Sequence, residues 1–317
     1  MRRRIPAVLA VIGLSALTLV GCSSSAPAAA GCEGAADDAG SLETVDVSGA
    51  PGEAELTLNA PIFTDTTVAV EETAGDGPKI TSEMQDVVFS VAIADGATGQ
   101  ALASGAAPMN TVASWRENYS GLADMLMCAT EGSRVLGAVP ASALSEPAAQ
   151  NWGLEKDDTI VVAMDVQRVY LAAADGAPQY NDRRGMPSVV LAPNGTPGII
   201  VPDAAPPTDL AVEVLKKGDG PAVTDADSIL IQYTGITWAE RTVFDSTWEK
   251  GAPLAVTLDG VVPGFAQALE GQTVGSQVLA VIPPELGYGD QGSGSIPGDA
   301  TLVFVIDILG VDPATGS

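Results

Sequence analysis

The chain has 317 residues, room for two domains of ordinary size, and 46% of them are hydrophobic, enough for packed cores. It contains no histidine and carries a formal charge of −26, from 40 acidic against 14 basic side chains, so it repels nucleic-acid phosphates and anionic headgroups alike. Nucleic-acid binding and histidine-dependent catalysis are thereby excluded, and the acidity reads as a solvated, self-repelling surface.

At the start, Arg2, Arg3 and Arg4 precede an apolar run from Ile5 to Val20, too short to span a membrane comfortably. Leu19-Val20-Gly21-Cys22 closes it and resembles the lipobox of bacterial lipoproteins. That resemblance implies a signal peptide over 1–21 and a lipidated Cys22 as the mature first residue. It places the protein outside the cytoplasm, anchored to the cell membrane through lipid alone. An ordinary secretory signal with an incidental cysteine is the competing reading. Residues 22–42 form a flexible tether, small and low in complexity over Ser23–Ala30. In an oxidising compartment Cys32 and Cys128 either pair, stapling the tether to the first domain, or Cys128 is a small buried hydrophobe and Cys32 is free.

The rest of the chain repeats. Gly75-Asp76-Gly77-Pro78 recurs 143 positions on, at Gly218-Asp219-Gly220-Pro221. GLADMLMCATEGSRVLGAVP (121–140) recurs at the same offset as GFAQALEGQTVGSQVLAVIP (264–283), and DTIVVAMDV (158–166) recurs at 142 as ATLVFVIDI (300–308). The pattern predicts a duplicated domain, over 43–170 and 186–317, joined by a polar, turn-rich linker at 171–185 with Arg183 and Arg184 exposed. Each copy opens on a hairpin, at 44–58 and at 188–202, the second marked by the Asn194-Gly195 turn signal. In the second copy, Leu210–Leu215, Ser228–Tyr233, Leu254–Leu258, Gln277–Ile282 and Leu302–Val311 read as strands. Pro263–Gly271 reads as a helix, with proline in its first turn and glycine at its end. One helix against a mainly antiparallel sheet is an α+β arrangement.

Tyr-Thr-Gly (233–235), Phe-Asp-Ser (244–246), Val-Val-Pro-Gly-Phe (261–265), Gly-Tyr-Gly (287–289), Ile-Pro (296–297) and Ala-Thr-Leu-Val-Phe (300–304) follow in order. With these motifs the second copy resembles the FKBP-type peptidyl-prolyl cis-trans isomerases from about Leu210 to Val311. The resemblance implies two half-barrel domains, each an antiparallel sheet wrapped on one short helix. It also implies a monomer that rotates X-Pro bonds in exported polypeptides and binds macrolides such as rapamycin. No cofactor and no metal are expected. Phe244, Leu254, Val261, Val262, Phe265, Ile296 and Phe304 would line the proline pocket, with Phe265 as its floor. Tyr288 would donate to a substrate carbonyl, and Asp245, held by Tyr233, would face the twisting amide.

This chemistry suits a chain without histidine, because no covalent bond is made or broken. The barrier of roughly 18–20 kcal/mol comes from amide resonance. Twisting reduces charge separation, so a dry aromatic pocket favours the twisted amide over the planar one. The sequence departs from the family at Leu254 and Phe265, where an aromatic wall and a tryptophan are usual. Lys250 replaces an arginine, and the loop from Asp290 to Ser295 is short and lacks the usual histidine. In the first copy the offset of 143 sets Ser90, Ala101, Leu102, Leu122 and Ser145 opposite Tyr233, Phe244, Asp245, Phe265 and Tyr288, so a fold without catalysis is expected. The competing functional reading is a membrane-tethered binding or chaperone module that uses the pocket without physiologically relevant catalysis. Labelled palmitate is expected to enter the wild type and to be lost in Cys22→Ser, with release of the protein from membranes; an unlabelled wild type would contradict the lipobox reading.

Overall fold

The computed structural model describes residues 34–37, 39–181 and 183–313; the leader, Cys22, the tether up to residue 33 and Cys32 lie outside them. Cys128 is disulfide-bonded, and no second cysteine stands among the described residues.

The first half contains β1 (Ala36–Asp37), α1 (Ala39–Leu42), β2 (Val45–Ser48), β3 (Glu55–Leu58), β4 (Val68–Thr73), β5 (Asp86–Asp95), β6 (Ala101–Ala106) and β7 (Asn110–Thr111). It continues with α2 (Val112–Asn118), α3 (Ser120–Leu126), β8 (Arg134–Pro140), α4 (Glu146–Asn151) and β9 (Thr159–Val169). The second half contains β10 (Ala177–Pro178), β11 (Ser188–Leu191), β12 (Pro197–Ile200), β13 (Ala211–Lys217), β14 (Asp227–Thr237) and β15 (Val243–Ser246). Then come α5 (Thr247–Lys250), β16 (Leu254–Val256), α6 (Pro263–Leu269), β17 (Gln277–Ile282) and β18 (Leu302–Pro313).

The two main sheets share one strand order and differ at one edge, where β1 runs parallel to β4 and β10 antiparallel to β13. One runs β1-β4-β8-β9-β5-β6 with β7 on β5, the other β10-β13-β17-β18-β14-β15 with β16 on β14. This is the α+β half-barrel the sequence predicts, and α3 and α6 occupy its concave side. Glycine lets each helix approach closely. A Cβ on Gly121 would lie 2.2 Å from Val139, and one on Gly264 would lie 2.4 Å from Ile282. Neither half keeps to one helix per sheet: the second has the one-turn α5 after β15 as well as α6, and the first adds α2 and α4 where the second half has short strand and loop.

Strands of the second half read as continuous apolar runs because both of their faces are buried. Val278, Ala280 and Ile282 of β17, with Leu302, Phe304, Ile306 and Ile308 of β18, join the core around Phe265 and Leu269. Leu279, Val281, Val303 and Val305 point to the other face, where the β11–β12 hairpin lays Val189 and Ile199 over them. The β2–β3 hairpin does the same for the first sheet, with Val47, Leu56 and Leu58 over Leu136, Ala138 and Val161. Each fully covered side chain of this kind contributes about 1.5–3 kcal/mol. The hairpins are therefore the covers of two convex faces.

The linker is not the loose polar segment its composition suggests. Ala177 and Pro178 form β10 on the edge of the second sheet, opposite Lys217 and Lys216. Ala174 donates its backbone N–H to Asp307 Oδ2 at 2.8 Å and accepts from Lys216 Nζ at 2.7 Å. Upstream, the Tyr170 hydroxyl donates to Asp312, and the Tyr170 ring fills the space a Cβ would take on Gly310, 2.4 Å away. Arg168 stacks 5.1 Å from that ring and donates to the carbonyl of Val311 at 2.9 Å. Asp307 is buried, and its remaining oxygen accepts from Gln277 Nε2 at 2.7 Å. Cutting at residue 186 would thus remove Ala174 from a buried carboxylate, so the second half is best studied within the whole chain.

Asp86 opens β5 beside Tyr170, whose N–H its carbonyl accepts at 3.1 Å. Its side chain is buried, and burial pushes its pKa up to about 6. A folded value above the unfolded one, near 3.9, means the fold gains stability as pH falls from about 6 towards 4 and loses it as pH rises. Asp86→Asn is therefore expected to stabilise the protein at pH 7 by about 1–3 kcal/mol, with the gain gone below about pH 4. Urea unfolding at the two pH values checks this; an equal effect at both would contradict it.

Candidate functional site

The concave side of the second sheet holds a pocket of about 520 Å³. Its base is a cluster of rings whose positions follow from the strand register. Phe304 on β18 pairs across with Gly235 on β14, and Asp245 on β15 pairs with Gly235 from the other side. A Cβ on Gly235 would come within 2.6 Å of the Phe244 ring and 2.7 Å of the Phe304 ring. The glycine of Tyr-Thr-Gly is there to make room for those rings. Phe304 then meets Phe244 edge-on at 5.5 Å and Phe265 edge-on at 5.0 Å, while Tyr233 lies 6.0 Å from both Phe265 and Phe304. Edge-to-face contacts of this kind add about 0.5–1.5 kcal/mol each beyond area burial.

The polar edge is built from three side chains. The Tyr233 hydroxyl donates to Asp245 Oδ2 at 2.7 Å, and Lys250 Nζ sits 2.5 Å from Asp245 Oδ1. Thr247 fixes the strand crossing beneath them, accepting from the Tyr233 N–H at 2.8 Å and donating to Gln232 Oε1 at 2.8 Å. Partial burial by itself raises the Asp245 pKa, but hydrogen bonds from Lys250 and Tyr233 outweigh it and hold the group below the usual carboxylate range. Burial, then the neighbouring carboxylate, pushes the Tyr233 hydroxyl well above its ordinary value. At neutral pH Asp245 is thus a carboxylate and Tyr233 a neutral donor.

Asp245, Tyr288, Tyr233, Phe244, Leu254, Val261, Val262, Phe265, Ile296 and Phe304 all line this one pocket. Phe265 is 5% exposed at its base; Leu254 at 43% and Tyr288 at 39% stand at the mouth. Ile231, Val256, Asp259 and the turn Ser293–Ser295 also line it and escape sequence reading. Ile231 and Val256 look like any core position in a strand. The span read as a strand to Leu258 stops at Val256 and turns through a 3-10 segment, Leu258–Gly260, which carries Asp259 to the rim. The turn is closed by paired backbone bonds between Ser293 and Ile296, which bring Ile296 over the pocket.

In the first half, aromatics stand where this opening lies in the second. Strand register refines the counterparts. Tyr233 pairs with Ile306 and Val91 with Met164, and Asp245 pairs with Gly235 as Ala103 does with Ile93. The offset in these strands is therefore 142. Val91, Leu102 and Ala103, rather than Ser90, Ala101 and Leu102, stand opposite Tyr233, Phe244 and Asp245. On the helix and after β8 the 143 offset holds, with Leu122 opposite Phe265 and Ser145 opposite Tyr288. Ser145 caps α4 by accepting from the Ala148 N–H. Trp115 of α2 lies edge-on to Phe89 at 5.0 Å, Tyr119 follows at 5.9 Å, and Trp152 at the end of α4 packs on Tyr119 at 5.8 Å. Phe89 is the counterpart of pocket-lining Ile231, so the ladder fills the space that the second half leaves open.

Phe265→Ala removes both the pocket base and a core ring, and is expected to cost about 3–5 kcal/mol of stability. Asp245→Leu leaves the Tyr233 hydroxyl without its acceptor and the exposed Lys250 without its carboxylate, a loss of about 1–2 kcal/mol. Chemical denaturation of the two variants checks the contrast; equal losses would mean that Asp245 is a structural cap.

A family model described as FKBP-type peptidyl-prolyl cis-trans isomerase matches residues 220–309. An FK506-binding protein of Streptomyces anulatus is 35% identical over 120 residues, 36% of this chain and 96% of that protein. A probable FK506-binding protein of Corynebacterium glutamicum is 32% identical over 113 residues, again 36% and 96%. The FKBP-type peptidyl-prolyl cis-trans isomerase FkpA of Escherichia coli K12 is 40% identical over 107 residues, 34% of this chain, which spans 39% of that protein's length. The crystal structure of that FkpA aligns with a TM-score of 0.33 and 33% identity, covering 42% of this chain and 54% of the other. Motifs, register and two relatives matched almost end to end agree: the chain belongs to the FKBP-type peptidyl-prolyl cis-trans isomerase family.

Proposed function

We propose that the chain is a peptidyl-prolyl cis-trans isomerase that acts on proline-containing segments of exported polypeptides, held by a lipid on Cys22 at the outer face of the cell membrane. The observation that carries the activity is a pocket whose base is four aromatic rings and whose edge carries one fixed carboxylate. A proline ring seated on Phe265 and Phe304 leaves water, and the planar amide, with its larger charge separation, loses more solvation than the twisted one. Tyr288, at the mouth, donates its hydroxyl to a substrate carbonyl and holds the chain flanking the proline. Asp245 lies at the edge where the rotating carbonyl passes. Its ionised state is set in advance by Lys250 and Tyr233, so no proton has to move during the turn.

A second reading, a tethered binding module for unfolded chains, is favoured by one observation. Half of the molecule keeps the fold and has filled its pocket with Trp115, Tyr119 and Trp152. The two readings differ in turnover. A protease-coupled assay on short Leu-Pro peptides, using the whole exported chain, is expected to show acceleration that falls about tenfold or more in Tyr288→Ala or Asp245→Leu, within the range of a positioned polar group. Trp115→Ala, in the first half, is expected to leave the rate unchanged. A folded wild type with no rate above background would establish the binding module instead.

A further inference from the structure

Two carboxylates line the pocket, and their electrostatic situations differ. Asp245 is neutralised by Lys250 at 2.5 Å and by the Tyr233 hydroxyl. Asp259 stands on the exposed turn Leu258–Gly260, and among the described residues no hydrogen bond or ion pair engages its side chain. Residues 186–317 contain sixteen acidic and four basic side chains. Of those four, Lys216 is committed to the carbonyl of Ala174, Arg241 to Asp203 and Lys250 to Asp245. The facing turn, Ser293–Ser295, offers hydroxyls and no charge. A peptide entering over the exposed apolar rim of Leu254 and Tyr288 therefore meets one uncompensated negative charge.

We propose that Asp259 is a specificity residue that makes the pocket prefer prolyl segments carrying a lysine or arginine within two residues of the proline. This rests on the isomerase reading above. A cation brought within a few ångströms of Asp259 at a solvent-lapped rim gains a modest Coulomb attraction, and an acidic neighbour is repelled to the same degree. The effect is local to the mouth and fades as salt shortens the screening length. It adds charge selection to an apolar pocket that has no cation free to receive an acidic residue.

The test uses the whole exported chain and Leu-Pro peptides with lysine, glutamine or glutamate placed in turn at each position within two residues of the proline. At low ionic strength the lysine-to-glutamine ratio of kcat/KM is expected to reach about three to ten at one or more positions, with glutamate below glutamine. The ratio is expected to approach one at high salt and in Asp259→Asn, each ratio being taken within one protein. A wild-type ratio of one at low salt overturns the proposal. A raised ratio that survives in Asp259→Asn also overturns it, since the overall field of the acidic chain would then be responsible. If no peptide is turned over, the isomerase reading fails on its own, and the same ratio read from dissociation constants in NMR titrations still decides the role of Asp259.

Discussion

Everything at the pocket depends on how closely the Phe304 ring can lie against the β14 backbone. Gly235 leaves that space empty, and Phe304 and Phe244 enter it from the two neighbouring strands. Phe265 and Tyr233 then pack on Phe304, and the four rings become a rigid apolar base. A side chain at 235 would push both phenylalanines outward and close the mouth from below. In the first half the counterpart is Ile93, buried in the core, and the aromatic base is absent.

The two halves share the parts of this design that hold the fold and differ in the parts that make the pocket. Gly121 and Gly264 survive in both halves because each helix lies against its sheet at a distance that admits no Cβ. The convex covers survive as well, since each sheet needs a hairpin over its second apolar face. At the concave side, substitution of Phe304 by Val162 and of Tyr233 by Val91 leaves a void. Trp115 on α2, Tyr119 just after it and Trp152 after α4 fill it. A void of that size without partner atoms would be costly, about 24 cal/mol per Å³, which favours filling by any large apolar side chains. The two halves are then locked by Tyr170 and Ala174, so the filled half is a fixed neighbour of the open one.

Much of this was legible in the residues. The α+β class, the internal repeat and both hairpins follow from periodicity and a repeated offset, and the pocket members from the family resemblance that the motifs carry. The misses have physical causes. The 143 offset slips to 142 in β5 and β6 because the turn into β5 is one residue longer than the turn into β14: the bridges Lys79–Thr130 and Ala222–Thr273 stand 143 apart, whereas Val87, opposite Val169, and Ile229, opposite Val311, stand 142 apart, and one extra turn residue leaves no trace in composition. The linker looks loose because its backbone makes the contact to Asp307 and, at Gln179, one to Leu215 of the second sheet, with the Asn181 side chain adding a bond to the Val214 carbonyl. Asp259 was overlooked because a lone exposed carboxylate in an acidic chain carries no signal until its neighbours are seen to lack a cation. The aromatic ladder is not legible in the sequence because Trp152 lies more than thirty residues from Trp115 and Tyr119, and Tyr119 and Trp152 stand just past the ends of short helices with weak periodicity.

The central claim is that one half of a duplicated fold is open to proline and the other is closed by its own aromatics. Chemical-shift mapping of residues 22–317 during titration with a Leu-Pro peptide tests it most directly. Shifts confined to Tyr233, Phe244, Asp245, Phe265, Tyr288, Phe304 and their neighbours are the expected result. Saturable shifts at Phe89, Trp115, Tyr119 or Trp152, or none around Phe304, would contradict it.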